Sequence, residues 1–193
     1  KDGKKGSEIF AVPSFLGGKN HQPMAYSPVT KLFYVPTNEW GMTLHNEPVT
    51  YKKGAAYLGA GFTIKPVFDD HIGSLKAVDP ATGKIVWQKN NPAPLWGGVL
   101  TTGSNLVFYG TPEGDLKAIS ATDGKELWSF NTGSGHRGGP ISYTVNGKQY
   151  IATPSGWGST LAGRLGEFFP ELQSAPAGAT LFAFALPESG GRR

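Results

Sequence analysis

The sequence predicts an all-β fold of consecutive β-propeller blades, and three observations carry that reading. Glycine and proline, 28 and 15 of 193 residues, interrupt the chain so often that few windows suit a helix interior, which both residues disfavour. A segment recurs: GSLKAVDPATGKIVW at 73–87 aligns without gaps to GDLKAISATDGKELW at 114–128, an offset of 41 residues. Apolar stretches of strand length follow the same rhythm, KLFYVPT at 31–37, NLVFYGTPEG at 105–114, QYIATPSGWG at 149–158 and ATLFAFAL at 179–186, each bounded by Gly, Pro or Asn.

Seven of the fifteen aligned positions are identical: Gly73/Gly114, Leu75/Leu116, Lys76/Lys117, Ala77/Ala118, Gly83/Gly124, Lys84/Lys125 and Trp87/Trp128. A period of roughly 40 residues fits a blade of four short strands. Within each unit, alternating apolar residues (Leu75 and Ala77, Leu116 and Ala118) form one strand, and a polar turn leads to a second. Gly83 and Gly124 stand where a tight turn needs positive φ. Trp87 and Trp128 lie one strand further on, where a flat indole suits packing between adjacent sheets and its N–H can reach a neighbouring backbone. Their expected role is structural. From residue 73 onward the sequence holds two blades and part of a third, after a less regular stretch. An open arc of blades exposes a sheet face at each end, which the remainder of the polypeptide or a partner chain must cover.

Composition removes several function classes. Aromatic content of 12% with 17% charged residues is far from the signature of disorder. The net charge of +4 comes partly from Lys1, Lys4, Lys5, Arg192 and Arg193, which read as solvated tails; no basic stripe interleaved with aromatics suggests nucleic-acid binding. The absence of cysteine removes disulfides, thiolate metal sites and thiol nucleophiles. No apolar run approaches the roughly 18 to 20 residues of a membrane span.

Motifs with a chemical meaning are few. Gly133-x-Gly135-x-x-Gly138 has the letters of a dinucleotide loop, but GPISYTV follows it, a strand and not a helix, so it reads as a crossing between strands. His21, His45, His71 and His136 share no ligand spacing. Asp69-Asp70-His71 reads as a solvated loop, because neighbours in extended chain point to opposite sides. Hydrolysis lacks its Gly-x-Ser-x-Gly elbow. Trp96-Gly97-Gly98, at the entrance to the strand VLTTGSNLVFYG, pairs an indole donor with two residues lacking side chains, a place suited to the edge of a flat ligand, although taken alone the indole reads first as a core residue.

The repeats Ala77 to Trp87 and Ala118 to Trp128, with PLWGGVLTT, GTPEG, SGWGS, GGKNHQPMAYSP, YVPTNEWGM and KKGAAYLGAGF, resemble the C-terminal region of the quinoprotein alcohol dehydrogenases, nearer to the ethanol-oxidising type than to the methanol dehydrogenase large subunit. The likeness runs from about Gly17 to Pro187, with residues 1–16 and 188–193 as tails. It implies the C-terminal blades, about three to four, of an eight-bladed β-propeller that holds pyrroloquinoline quinone on its axis beside a calcium or lanthanide ion. Asn20, Trp96 and Thr160 match the family's cofactor-binding places, and Trp157 is the matching wall of the substrate pocket. In the family a hydride passes from the alcohol carbon to the quinone while an Asp takes the hydroxyl proton. The resemblance places that Asp, the metal ligands and a vicinal cysteine pair in upstream blades, so this chain is expected to be inactive alone. It further implies a periplasmic enzyme that passes electrons to a cytochrome c and that could form a homodimer. The alternative is a non-catalytic propeller scaffold that binds protein partners.

Overall fold

The structure is a computed structural model describing residues 8–55, 57–157 and 178–187; Thr160 and the tail 188–193 lie outside these described residues. Every regular element among them is a strand. The first blade is a four-stranded antiparallel sheet of β2 (Ala25–Ser27), β3 (Leu32–Asn38), β6 (Gly73–Val78) and β7 (Ile85–Asn91). The second comprises β8 (Val99–Thr101), β9 (Leu106–Gly110), β10 (Asp115–Ser120) and β11 (Glu126–Asn131) in the same order. A third sheet contains β12 (Ile141–Val145), β13 (Lys148–Ser155) and β14 (Thr180–Ala185). The repeated segment is thus the last two strands of a blade, and the first blade begins at β2, well before residue 73. What made that stretch look irregular is a hairpin, β4 (Trp40–Asn46) and β5 (Ala60–Pro66), inserted between β3 and β6 and joined by β1 (Ile9–Ala11).

Both repeat units fold alike in detail. Register shifts fall at Ala77/Val78 and at Ala118/Ile119, the same place in each. In the turns that follow, Gly83 and Gly124 take φ of 69° and 71°, and their N–H groups donate to Asp79 O and Ser120 O at 2.8 and 2.9 Å. The sequence placed both glycines for this reason.

Blades one and two pack over a core of Tyr34, Leu75, Leu95, Val107, Tyr109 and Ile119. Towards the outer strands, Trp87 of β7 docks on the second blade: its Nε1 donates to Ala121 O at 3.1 Å, a carbonyl that also accepts from Tyr34 Oη at 2.9 Å. The indole lies over Gly124, where a Cβ would fall 3.0 Å from Trp87 Cε3. Trp128 meets Phe184 of β14 edge to face at 5.2 Å. At the opposite edges β2 and β8 converge, with Val99 N–H donating to Pro23 O at 3.0 Å and Thr101 Oγ1 to Tyr26 O at 3.2 Å. Glycine is required there, since a Cβ on Gly98 would sit 3.1 Å from both Gly139 Cα and Pro23 Cδ.

The inserted hairpin is clamped at its root. Glu39, between β3 and β4, donates its backbone N–H to Ile72 O at 2.7 Å, while its carboxylate takes Lys76 Nζ and, at 2.8 Å, His71 Nε2. The other ring nitrogen of His71 lies 2.6 Å from Asp70 Oδ1, and the ring stacks on Phe68 at 4.7 Å. Asp69 and Asp70 thus keep to an exposed loop, but His71 does not: it is buried against Glu39 and Phe68. Residues 67–70 bend, so the alternation expected of extended chain does not apply, and His71 is buried. Burial opposes protonation of His71, but Asp70 and Glu39 outweigh it and raise its pKa. Burial likewise opposes ionisation of Glu39, and Lys76 and His71 more than reverse it. His71 contact lowers the Asp70 value.

Two predictions follow from these contacts. Trp87→Phe loses the bond to Ala121 O and should cost about 1–2 kcal/mol in equilibrium denaturation. The raised His71 stabilises the fold fully below its ordinary 6.5 and loses that contribution as pH climbs through its higher folded value; the lowered carboxylates stabilise above their ordinary 3.8 and 4.5 and lose it as pH falls. The thermal-midpoint advantage of wild type over His71→Gln should accordingly peak between those limits and shrink in alkali; an advantage that grows with pH would contradict the clamp.

Candidate functional site

Three connections reach the converging edge of the sheets: the loop before β2, the segment from β7 to β8 and the segment from β11 to β12. His21, Trp96 and Arg137 hold the same place in them, each two residues ahead of Pro23, Gly98 or Gly139. The Trp96 indole meets both neighbours, with the His21 ring centroid at 5.9 Å and Arg137 Cζ 5.4 Å from its own centroid. Trp96 is 6% exposed; it abuts Trp40 edge to face at 5.9 Å and packs with Ile72, Ala93 and Trp157. The Nε1 atoms of Trp96 and Trp157 are buried without a hydrogen-bond partner among the described residues. Each unmet donor of this kind costs on the order of 1–3 kcal/mol.

Buried amides fix the chain that carries Trp96. Leu95 N–H donates to Asn38 Oδ1 at 2.7 Å, and Leu95 O accepts from Asn38 Nδ2 at 3.0 Å and Gln22 Nε2 at 3.3 Å. Gln22 Oε1 accepts the Asn20 N–H at 2.9 Å, so one residue couples Asn20 to the segment bearing Trp96. The Asn20 side chain is exposed, anchored by Nδ2 donating to Leu16 O at 3.0 Å, and its Oδ1 has no hydrogen-bond partner among the described residues. Trp40 closes the floor by donating Nε1 to Gly17 O at 3.3 Å.

The structure thus gathers Asn20 and Trp96 on one edge and joins Trp96 to Trp157 in one buried cluster. Thr160 lies outside the described residues. Gly97-Gly98 is not the opening that its lack of side chains suggested: Gly98 is filled against Gly139 and Pro23, and Gly97 faces three backbone carbonyls at 3.5 Å. Gly133-x-Gly135-x-x-Gly138 is a crossing between strands, as its context required. A Cβ on Gly135 would lie 2.6 Å from Trp157 Cε3, and one on Gly138 2.3 Å from Pro154 Cγ. His136 is fully buried, its Nδ1 3.1 Å from Pro154 O and its Nε2 3.0 Å from Thr132 Oγ1, and burial lowers its pKa. It holds the crossing as a neutral group.

Sequence reasoning missed Gln22, Asn38, Trp40 and Arg137. Asn38 left a signal, a polar residue closing the apolar strand LFYVPTN. Arg137 left another, since it stands 41 residues after Trp96, the same offset as the repeat. Asn38→Ala should cost about 2–3 kcal/mol by stripping Leu95 N–H of its acceptor and Leu95 O of one of its two donors, whereas Asn20→Ala should cost about 1 kcal/mol or less; denaturant titration of the two variants checks the order.

Comparison with known proteins bears on what the site serves. Residues 71–158 match a family model described as outer membrane protein assembly factor BamB. Quinoprotein alcohol dehydrogenase PedH of Pseudomonas putida is 54% identical over 184 residues, 95% of this chain and 31% of that protein. A 1-butanol dehydrogenase (quinone) of Thauera butanivorans is 45% identical over 185 residues, 96% of this chain and 30% of that protein. Among solved structures, a europium-containing methanol dehydrogenase superposes with a TM-score of 0.84 at 33% identity, over 95% of this chain and 36% of its own. A quinohaemoprotein alcohol dehydrogenase from Comamonas testosteroni gives 0.80 at 27% identity, over 96% of this chain and 29% of its own. The chain spans about a third of the length of these relatives.

Proposed function

Because the chain belongs to the quinoprotein alcohol dehydrogenases, we propose that it forms one side of the pyrroloquinoline quinone pocket of an enzyme oxidising alcohols to aldehydes. The observation that carries this reading is the coupled array of Asn20, Gln22, Leu95 and Trp96, which sets an exposed amide beside a buried indole on the edge where the blades converge. Residues 17–187 are the propeller part, the C-terminal blades of a longer protein.

The residues fit the group. A flat tricyclic polycarboxylate needs apolar walls and a few fixed polar partners. His21 is exposed beside the buried Trp96 indole, Asn20 keeps Oδ1 for a partner, and Arg137 supplies a cation. When bound, the quinone accepts the hydride taken from the alcohol carbon. This chain's share is to position and enclose. Asn20 would hold the quinone edge, and Trp96, in an orientation set by Asn38 and Gln22 through Leu95, would contact its rim. By the same family likeness Thr160 is assigned to the cofactor as well. Trp157, packed with Trp40 and Trp96, walls the substrate side and excludes water. The proton-abstracting Asp and the ligands of a calcium or lanthanide ion come from the rest of the protein. A periplasmic setting, a cytochrome c acceptor and a homodimer belong to the same reading.

The matched BamB description favours a second reading, a scaffold that binds protein partners, since the match covers the Trp-docked repeats. Those repeats build blades whatever the blades carry. Identity of 54% to an alcohol dehydrogenase across 95% of the chain extends well beyond them. Measuring quinone affinity of the full-length protein by equilibrium dialysis separates the two. Asn20→Ala and Trp96→Ala should each weaken it by roughly tenfold, the loss of about one good contact. Unchanged affinity in both would favour the scaffold.

A further inference from the structure

We propose that Arg137 is an anion-binding residue of this pocket that pairs with a carboxylate of the quinone, an inference resting on the function proposed above. Three consecutive blades present His21, Trp96 and Arg137 at one place, so the residue with the charge is the structural counterpart of the indole that the family likeness assigns to the cofactor. Its backbone is locked. His136 before it is fully buried and held at both ring nitrogens, Gly138 after it packs on Pro154, and Gly139 packs on Gly98.

The guanidinium is half-buried over the Trp96 ring, with Cζ 5.4 Å from the centroid. Among the described residues it has neither an ion-pair partner nor a hydrogen-bond acceptor, and its nitrogens are not sealed from solvent. The cation–π contact orients the group and leaves its five N–H donors open to an acceptor from outside. A guanidinium set this way is matched by a planar carboxylate, which it can bind through two parallel N–H···O bonds. The nearby Trp96 and Trp157 N–H groups, both unpaired among the described residues, add to the demand for acceptors here.

The test uses the full-length apoenzyme loaded with calcium and measures binding of pyrroloquinoline quinone and of its trimethyl ester by equilibrium dialysis. Arg137→Gln should weaken binding of the free acid by about tenfold or more, a charge-assisted hydrogen bond's worth, and leave the ester unchanged. Arg137→Lys should recover part of the loss, and the thermal midpoint of each apo variant should match wild type. Unchanged affinity for the acid overturns the proposal, as does an equal loss for acid and ester, which would mark Arg137 as structural or as paired with a carboxylate elsewhere in the protein. Failure of wild type to bind the quinone at all would instead overturn the underlying function, and this inference with it.

Discussion

Blades arranged around an axis must draw together at their inner strands and part at their outer ones, and that wedge shape governs this chain. Where β2, β8 and β12 begin, backbone meets backbone: Pro23, Gly98 and Gly139 stand side by side, and no Cβ fits on Gly98 without moving a neighbour. Where the sheets separate, the gap takes an indole. Trp87 spans it to reach the carbonyl of Ala121, with Gly124 beneath its ring. Small residues inside and a tryptophan outside are two consequences of one geometry.

The same convergence makes a site. Connections entering the inner strands are brought close although far apart in sequence, so His21, Trp96 and Arg137 become neighbours without any local motif joining them. Their positions are then fixed by groups that touch no ligand. Leu95 is held from both sides by Asn38, and Gln22 ties its carbonyl to the loop of Asn20. Amides buried at this depth are stable only when their hydrogen bonds are met, and a network in which each member satisfies another gives a rigid support. At the outer root of the inserted hairpin, charge does similar work through Glu39, His71 and Lys76.

Much of the fold was legible in the sequence, because the two repeat units carry their turn glycines, paired apolar strands and docking tryptophans at a constant offset. The blade boundary was not. The innermost strands Ala25–Ser27 and Val99–Thr101 are only three residues long and too short to show alternation, and the β4–β5 insertion hid the first blade's continuity. Of the proposed site, Trp96 and Asn20 are assigned through likeness to a family and not through any chemistry their spacing announces. Gln22 and Asn38 escaped because a buried amide and an exposed one look the same in sequence. His71 was misjudged because the alternation rule was applied to a bend, while Asp69 and Asp70 stayed exposed as read. Arg137 needed only the offset of 41 residues carried past Trp128 into the next connection.

The central claim is that this edge of the blades faces the cofactor. A crystal structure of the full-length protein with pyrroloquinoline quinone bound tests it most directly. The account predicts the quinone against Trp96 and within hydrogen-bond reach of the Asn20 amide. A quinone seated wholly on other blades, with Asn20 and Trp96 turned to solvent or to protein alone, would contradict it.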